Sequence, residues 1–192
     1  MMEKLKEWWR SRWIKNVIFL LALGVLFFTG AGQWVHLKFI QLSLSAPERE
    51  PSEFAPAENL FHFAFEIMDE SGESDLLSQK MGKPMFVNFW ATWCTPCLAE
   101  FSSIEELRNQ MPELQVICIT SENEAVFDKY VSSTSHQLDF YKQLSKTPVQ
   151  LEHRVIPASF LVGSDGKILF QHFGAANWSD PETVAHLKSL IQ

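Results

Sequence analysis

The sequence predicts an α/β fold, a central mixed β-sheet flanked by helices, preceded by one N-terminal transmembrane helix. Three observations predict it. From Leu60 onward, short apolar runs alternate with helix-like stretches. A hairpin signal and a last helix close the chain, which adds antiparallel pairing to a βα pattern. One apolar stretch near the N-terminus stands apart and just reaches the ~20 residues needed to cross a bilayer.

That first stretch runs from Val17 to about His36, with VIFLLALGVLFF at its heart. Trp8, Trp9 and Trp13 precede it and Trp34 follows it, and indole rings favour the two membrane–water interfaces. Lys4, Lys6, Arg10, Arg12 and Lys15 lie on its N-terminal side, which predicts a cytoplasmic N-terminus and an exported C-terminal part. The competing reading is a cleaved signal peptide, with Thr29-Gly30-Ala31 as the cleavage site. The expected organisation is a cytoplasmic basic segment over 1–16, an anchor over 17–36, a linker over 37–59 and a folded domain over 60–192. Pro47, Pro51 and Pro56 among acidic residues mark the linker.

Within the domain, Phe61, Phe63, Phe65 and Ile67 alternate with His62, Ala64 and Glu66, as in a strand with one buried face. Asp75 to Met81 reads as a short helix ended by Gly82. Met85 to Trp90 is a continuous apolar run, as for a central strand covered on both faces. A helix follows from about Cys94 to Gln110, then a second buried strand over Gln115 to Thr120 and a helix over Glu124 to Ser132. After an irregular stretch, Ala158 to Val162 and Ile168 to Phe173 flank the turn Gly163-Ser164-Asp165-Gly166. Asp180-Pro181 opens the last helix, with proline at its first position.

Charge and cysteine usage narrow the function. The formal net charge is −7, and the basic residues gather at the N-terminus while the domain is acidic. A nucleic-acid partner needs a basic face on the domain, so none is expected. The three cysteines, Cys94, Cys97 and Cys118, make one close pair and one remainder, which is no stapling framework. The six histidines show no ligand spacing, so no metal and no cofactor are expected.

The pair sits in FVNFWATWCTPCLAEF, where a buried strand turns into a helix. Residues i and i+3 share a helix face, so the two sulfurs can close a small ring with little backbone movement. Cys94 falls at the helix N-terminus, where free N–H groups and the dipole favour a thiolate, and Pro96 falls in the first turn, where its missing N–H does no harm. Cys97 begins the apolar stripe Cys97, Phe101, Ile104, Met111, so it is the shielded resolving sulfur and Cys94 the exposed attacking one. A zinc site would need further ligands, and haem attachment would need histidine where Leu98 stands. A structural disulfide closing so short a loop would stabilise weakly. Cys118, inside the run VICI, reads as a core residue.

With the strand, WCTPC and the later VIPASFLVGSDGKI, the chain from about Asn59 onward resembles the thioredoxin superfamily. It is most similar to the exported TlpA/ResA-type, DsbE-like branch of membrane-anchored thiol–disulfide oxidoreductases. The resemblance implies a cis peptide at Ile156-Pro157, which would present backbone to an extended substrate, and a substrate-facing role for Trp93. It implies that Glu100, three residues after Cys97, helps move protons to and from that thiol. Thioredoxin itself has an aspartate where this chain has Asn88, which cannot take a proton. Ala158 follows Pro157 where haem-pathway members often carry an acid, which weakens any link to cytochrome c maturation. The resemblance further implies disulfides of other exported proteins as substrates and a membrane electron donor of DsbD/CcdA type. The expected location is the bacterial inner membrane, crossed once, with the catalytic domain periplasmic or otherwise extracytoplasmic. The expected activity is disulfide reduction through Cys94 and Cys97. A disulfide oxidase or isomerase, and a non-catalytic chaperone or docking module on the same fold, are the competing readings.

Overall fold

The computed structural model describes residues 13–22, 24, 30–47 and 64–192. It divides into two units, Met1–Leu42 and Ser43–Gln192.

In the first unit, residues 13–22 are helical and helix α1 spans Gly30–Ser43. Ile18, Phe19, Leu20 and Leu21 are exposed. No described helix is long and apolar enough to cross a membrane. Helix α1 has 14 residues and carries Gln33, His36, Lys38 and Gln41. Residues 23 and 25–29 of the expected anchor, 1–12 of the basic segment with Trp8 and Trp9, and 48–59 of the linker lie outside the described residues. The linker differs from expectation at its start, because residues 37–43 belong to α1, with no proline to stop a helix before Pro47. Farther on, the Ser45 carbonyl accepts from Asn177 N–H at 2.7 Å, which ties that stretch to the domain.

The second unit is built on one seven-stranded sheet. Its strands are β1 (Glu66–Met68), β2 (Ser74–Leu76), β3 (Met85–Trp90), β4 (Gln115–Thr120), β5 (Phe140–Gln143), β6 (Ala158–Val162) and β7 (Ile168–Phe173). Their order is β2-β1-β5-β4-β3-β6-β7. β3 runs parallel to β4, and β4 to β5, while β6 pairs antiparallel with β3 and β7. The sheet is therefore mixed, as the sequence pattern implies. Helices α2 (Thr95–Gln110), α3 (Glu124–Val131) and α4 (Pro181–Leu190) complete the unit. Each begins on a side-chain cap: Cys94 for α2, Asn123 Oδ1 accepting from Val126 N–H, and Asp180 Oδ2 accepting from Thr183 N–H. The β6–β7 turn reverses through Gly166 at φ 81°, a conformation that L side chains rarely adopt.

Alternation along β3 separates two cores. Phe86 and Trp90 point to one face with Cys97, Phe101, Ile104 and Leu107 of α2, Phe127 of α3 and Leu187 of α4. Met85, Val87 and Phe89 point to the other, closed by Leu77 and Leu151 from two short 3-10 turns. The large buried side chains of all three helices join the first core, so the second face is covered by turns rather than by helices. Two further differences arise at short elements. The segment read as a helix over Asp75 to Met81 is strand β2 followed by a 3-10 turn over Leu77–Lys80, because Ser74–Leu76 pairs with β1. The stretch read as irregular contains β5. Phe65 and Ile67 are buried and Ala64 and Glu66 exposed, as alternation predicts, while Phe61 and Phe63 lie outside the described residues.

Candidate active site

The end of β3 and the start of α2 set the two cysteines in place. Ala91 O accepts from Cys94 N–H at 3.0 Å, which turns the chain out of the strand. Cys94 is the helix cap, and its Sγ accepts from Cys97 N–H at 3.3 Å. Cys94 and Cys97 are joined as a disulfide with Cα atoms 5.3 Å apart. The expected contrast in exposure is not found in this oxidised form. Cys94 is 4% exposed and Cys97 0%, so both sulfurs are buried and Cys94 is only the more accessible of the two. The physical reason is packing: Cys94 belongs to the same buried apolar core as Trp90, Ala91 and Cys97. Trp93, by contrast, is 72% exposed.

The loop before Cys94 is clamped by a residue the sequence reading missed. Glu122, just beyond β4, accepts from Thr92 N–H at 2.7 Å, from the Thr92 hydroxyl at 2.8 Å and from the Thr120 hydroxyl at 3.3 Å. Nothing local in TSEN marks this partnership, which depends on β4 lying beside β3.

Ile156–Pro157 is a cis peptide, as the resemblance implies. Ile156 is half-buried against the core that holds Cys94 and Cys97. Pro157 O accepts from Gly174 N–H at 2.8 Å, which fixes the start of β6 to the end of β7.

Glu100 is fully buried. Tertiary packing encloses it on a helix face that spacing from Cys97 alone does not show to be buried. Its Oε1 accepts from Asn88 Nδ2 at 2.8 Å, and its Oε2 accepts from Ala176 N–H at 3.1 Å and Trp178 Nε1–H at 3.0 Å. Burial raises its pKa from 4.5 to about 7, against the lowering effect of those three donors. A carboxyl poised there exchanges a proton near neutral pH, one helical turn from Cys97. Ser103 braces the same corner, its hydroxyl donating to Glu100 O at 2.8 Å and accepting from Trp178 N–H at 3.2 Å. Asn88 Nδ2 also donates to Ser159 Oγ at 3.0 Å, whereas Asn88 Oδ1 is buried with no partner among the described residues. Trp178 is wholly buried, edge-on to Phe86 at 4.8 Å between ring centroids. Asn88, Ser159 and Trp178 come from separate strands and loops, and only the period-2 alternation of β3 and β6 hinted that Asn88 and Ser159 share a face.

Cys118 is buried on β4, in register with Asn88, and burial pushes its thiol well above the ordinary range. It has no route to act as a nucleophile at neutral pH. Among the described residues no cluster of three His, Cys, Asp or Glu side chains could hold a metal ion.

Comparison with known proteins places the chain in a family and bears on its fold. The Redoxin family model matches residues 56–191. A thiol-disulfide oxidoreductase ResA from Bacillus cereus is 31% identical over 116 residues, 57% of this chain and 66% of the relative. The chain thus spans just under two thirds of that protein. A second ResA, from Halalkalibacterium halodurans, is 28% identical over 179 residues, 90% of each chain. Among solved structures, a DsbE-type thiol:disulfide interchange protein from Chlorobium tepidum superposes with a TM-score of 0.59 at 21% identity, covering 78% of this chain and all of that one. That last likeness concerns the fold.

Proposed function

Because the chain belongs to the Redoxin family and is a thiol–disulfide oxidoreductase of the TlpA/ResA type in the thioredoxin superfamily, we propose that it reduces disulfides of other exported proteins while tethered to the bacterial inner membrane. Cys94 is the attacking sulfur, Cys97 the resolving one, and Glu100 the group that handles the Cys97 proton. Trp93 and the backbone at Ile156-Pro157 receive the substrate chain.

The observation that carries this reading is the buried Glu100 carboxyl, one turn beyond a cysteine pair that caps a helix. In the reduced enzyme the Cys94 thiolate attacks one sulfur of a substrate disulfide. The substrate S–S bond breaks, a mixed disulfide forms, and the other substrate cysteine leaves as a thiolate. Glu100 then takes the proton of Cys97. The Cys97 thiolate attacks Cys94 Sγ, which restores the internal disulfide and expels the second substrate sulfur. Two electrons pass to the substrate, and its two thiolates take up two protons.

The tether and export rest on the sequence: the apolar stretch over 17–36, its tryptophan flanks and the lysines and arginines before it. The electron donor in this reading is a membrane protein of DsbD/CcdA type. Capture in cells with Cys97→Ser tests the proposal. The variant is expected to stall with exported clients bound through Cys94, released by reductant. Capture that persists in a Cys94→Ser, Cys97→Ser double variant, or no disulfide-linked client at all, overturns it.

A further inference from the structure

The carboxyl of Glu100 meets three N–H groups and no acceptor. That set suits a charged carboxylate and leaves an acid proton with nowhere to go. Two of the three donors cannot change their role, since Ala176 offers a backbone N–H and Trp178 an indole N–H, and neither can accept. The third is a side-chain amide, and its opposite end, Asn88 Oδ1, is the buried acceptor left without a partner. Each buried polar group left unmatched in a folded protein calls for a reason.

We propose that Asn88 is a proton-responsive positioning residue whose amide turns over when Glu100 takes up a proton, so that Oδ1 accepts from the carboxylic acid and Nδ2 donates to the carboxylate. Ser159 suits both arrangements. Its hydroxyl accepts from Nδ2 at 3.0 Å in the arrangement seen, and after the turn it can donate to Oδ1. The turn replaces one unmatched carbonyl oxygen with an amide nitrogen bearing two unmatched N–H groups, so the arrangement seen is the favoured one while Glu100 is charged, and the acid proton, which has no other acceptor, drives the turn. Asn88 stands opposite Ser159 in the β3–β6 ladder, two residues beyond Pro157. The amide therefore links the proton on Glu100 to the strand that follows the expected substrate contact.

The charged and titratable groups around this corner are few. Cys97 precedes Glu100 on α2, Cys118 faces it from β4, and His172 on β7 lies against the Trp178 ring at 5.6 Å. His186 on α4 is one ring farther away, over Phe170. With Cys97 held in the disulfide and Cys118 kept as a thiol by burial, Glu100 is the group whose charge change Asn88 meets directly.

The inference rests on the reading of Glu100 as the proton-handling group, and nuclear magnetic resonance on the oxidised protein separates the two. The Glu100 side-chain carboxyl carbon is followed with pH, together with Overhauser contacts between the Asn88 amide protons and the Ser159 β-protons. Those contacts are expected above the Glu100 midpoint and lost below it. Glu100→Gln supplies a second arm that needs no titration. Its NH2 cannot face the two fixed donors, so it must face Asn88 and hold the amide in the turned orientation at every pH. Absence of the Asn88–Ser159 contacts throughout in that variant supports the proposal. Contacts that persist on both sides of a Glu100 midpoint overturn it and leave the role of Glu100 standing. A Glu100 that keeps one charge state from about pH 5 to 9 overturns both.

Discussion

Two regions share the same face of the sheet and the same helix, and they differ in what their burial achieves. Around Trp90, Phe101, Tyr130 and Phe140 the rings meet edge to face or tilted, with centroids 4.6–6.4 Å apart, and the interactions are non-directional apolar contact with aromatic geometry. Starting from Glu100, the residue before Phe101 on α2, the side chains of Glu100, Asn88, Ser159 and Trp178 bury a carboxyl in a hydrogen-bonded pocket. The Trp, Phe and Tyr rings of the aromatic region keep one charge state around neutrality, burial pushing the Tyr130 hydroxyl up to about 12. The polar one is governed by protons, and it lies behind the cysteine pair. Among the described residues Glu100 is the one fully buried carboxyl, and it lies one helical turn beyond a thiol of the pair.

Substitutions can break that division, and the largest effect belongs to the reacting sulfur. Cys94→Ser is expected to reduce insulin no faster than background, because the nucleophile is gone. Wild-type and variant protein reducing at the same rate would leave only a docking role for the fold. Next comes the aromatic region. Phe101→Ala removes a fully buried ring and should cost about 3–5 kcal/mol of unfolding free energy, equally at pH 5 and pH 8. Denaturant titrations at the two pH values read both the size and the lack of pH dependence.

The polar region should behave in the opposite way. Folding raises the Glu100 pKa from 4.5 to about 7, so the folded protein binds the proton more tightly than the unfolded chain. The linked stability is fully present below about 4.5, declines as pH rises through about 7 and is absent above it, a change of about 3 kcal/mol. Glu100→Gln should flatten that dependence, and an unchanged pH profile in the variant would place the titration elsewhere. The smallest effect is expected at Cys118. Cys118→Ala should leave the rate of disulfide exchange within about a factor of two, since its buried thiol stays protonated. A large loss of exchange would make it a third redox group.

The sequence was most legible where structure is locally determined. Met85–Trp90, Gln115–Thr120, Ala158–Val162 and Ile168–Phe173 form strands with the bounds their apolar runs predict, and Pro181 opens its helix after the Asp180 cap. β5 escaped because four residues, FYKQ, become a strand only by pairing with β4 and β1, and β2 became strand rather than helix through β1. The site divides in the same way. The spacing of Cys94, Cys97 and Glu100 is visible in one helix. The enclosure of Glu100 depends on Ala176 and Trp178, 76 and 78 positions away, and the clamp of Glu122 on Thr92 spans 30. The burial of Cys94 likewise comes from packing that no local pattern encodes. The N-terminal segment lies partly outside the described residues, and the expectation of an anchor there rests on its sequence.

The most direct test is the pH dependence of thiol reactivity in the reduced protein, read as the rate of alkylation at Cys94. The account expects Cys94 to react as a thiolate well below the ordinary thiol value of about 8.5, with a second inflection near neutrality that Glu100→Gln removes. A single ordinary transition near about 8.5, the same in protein with and without the carboxyl, would contradict it.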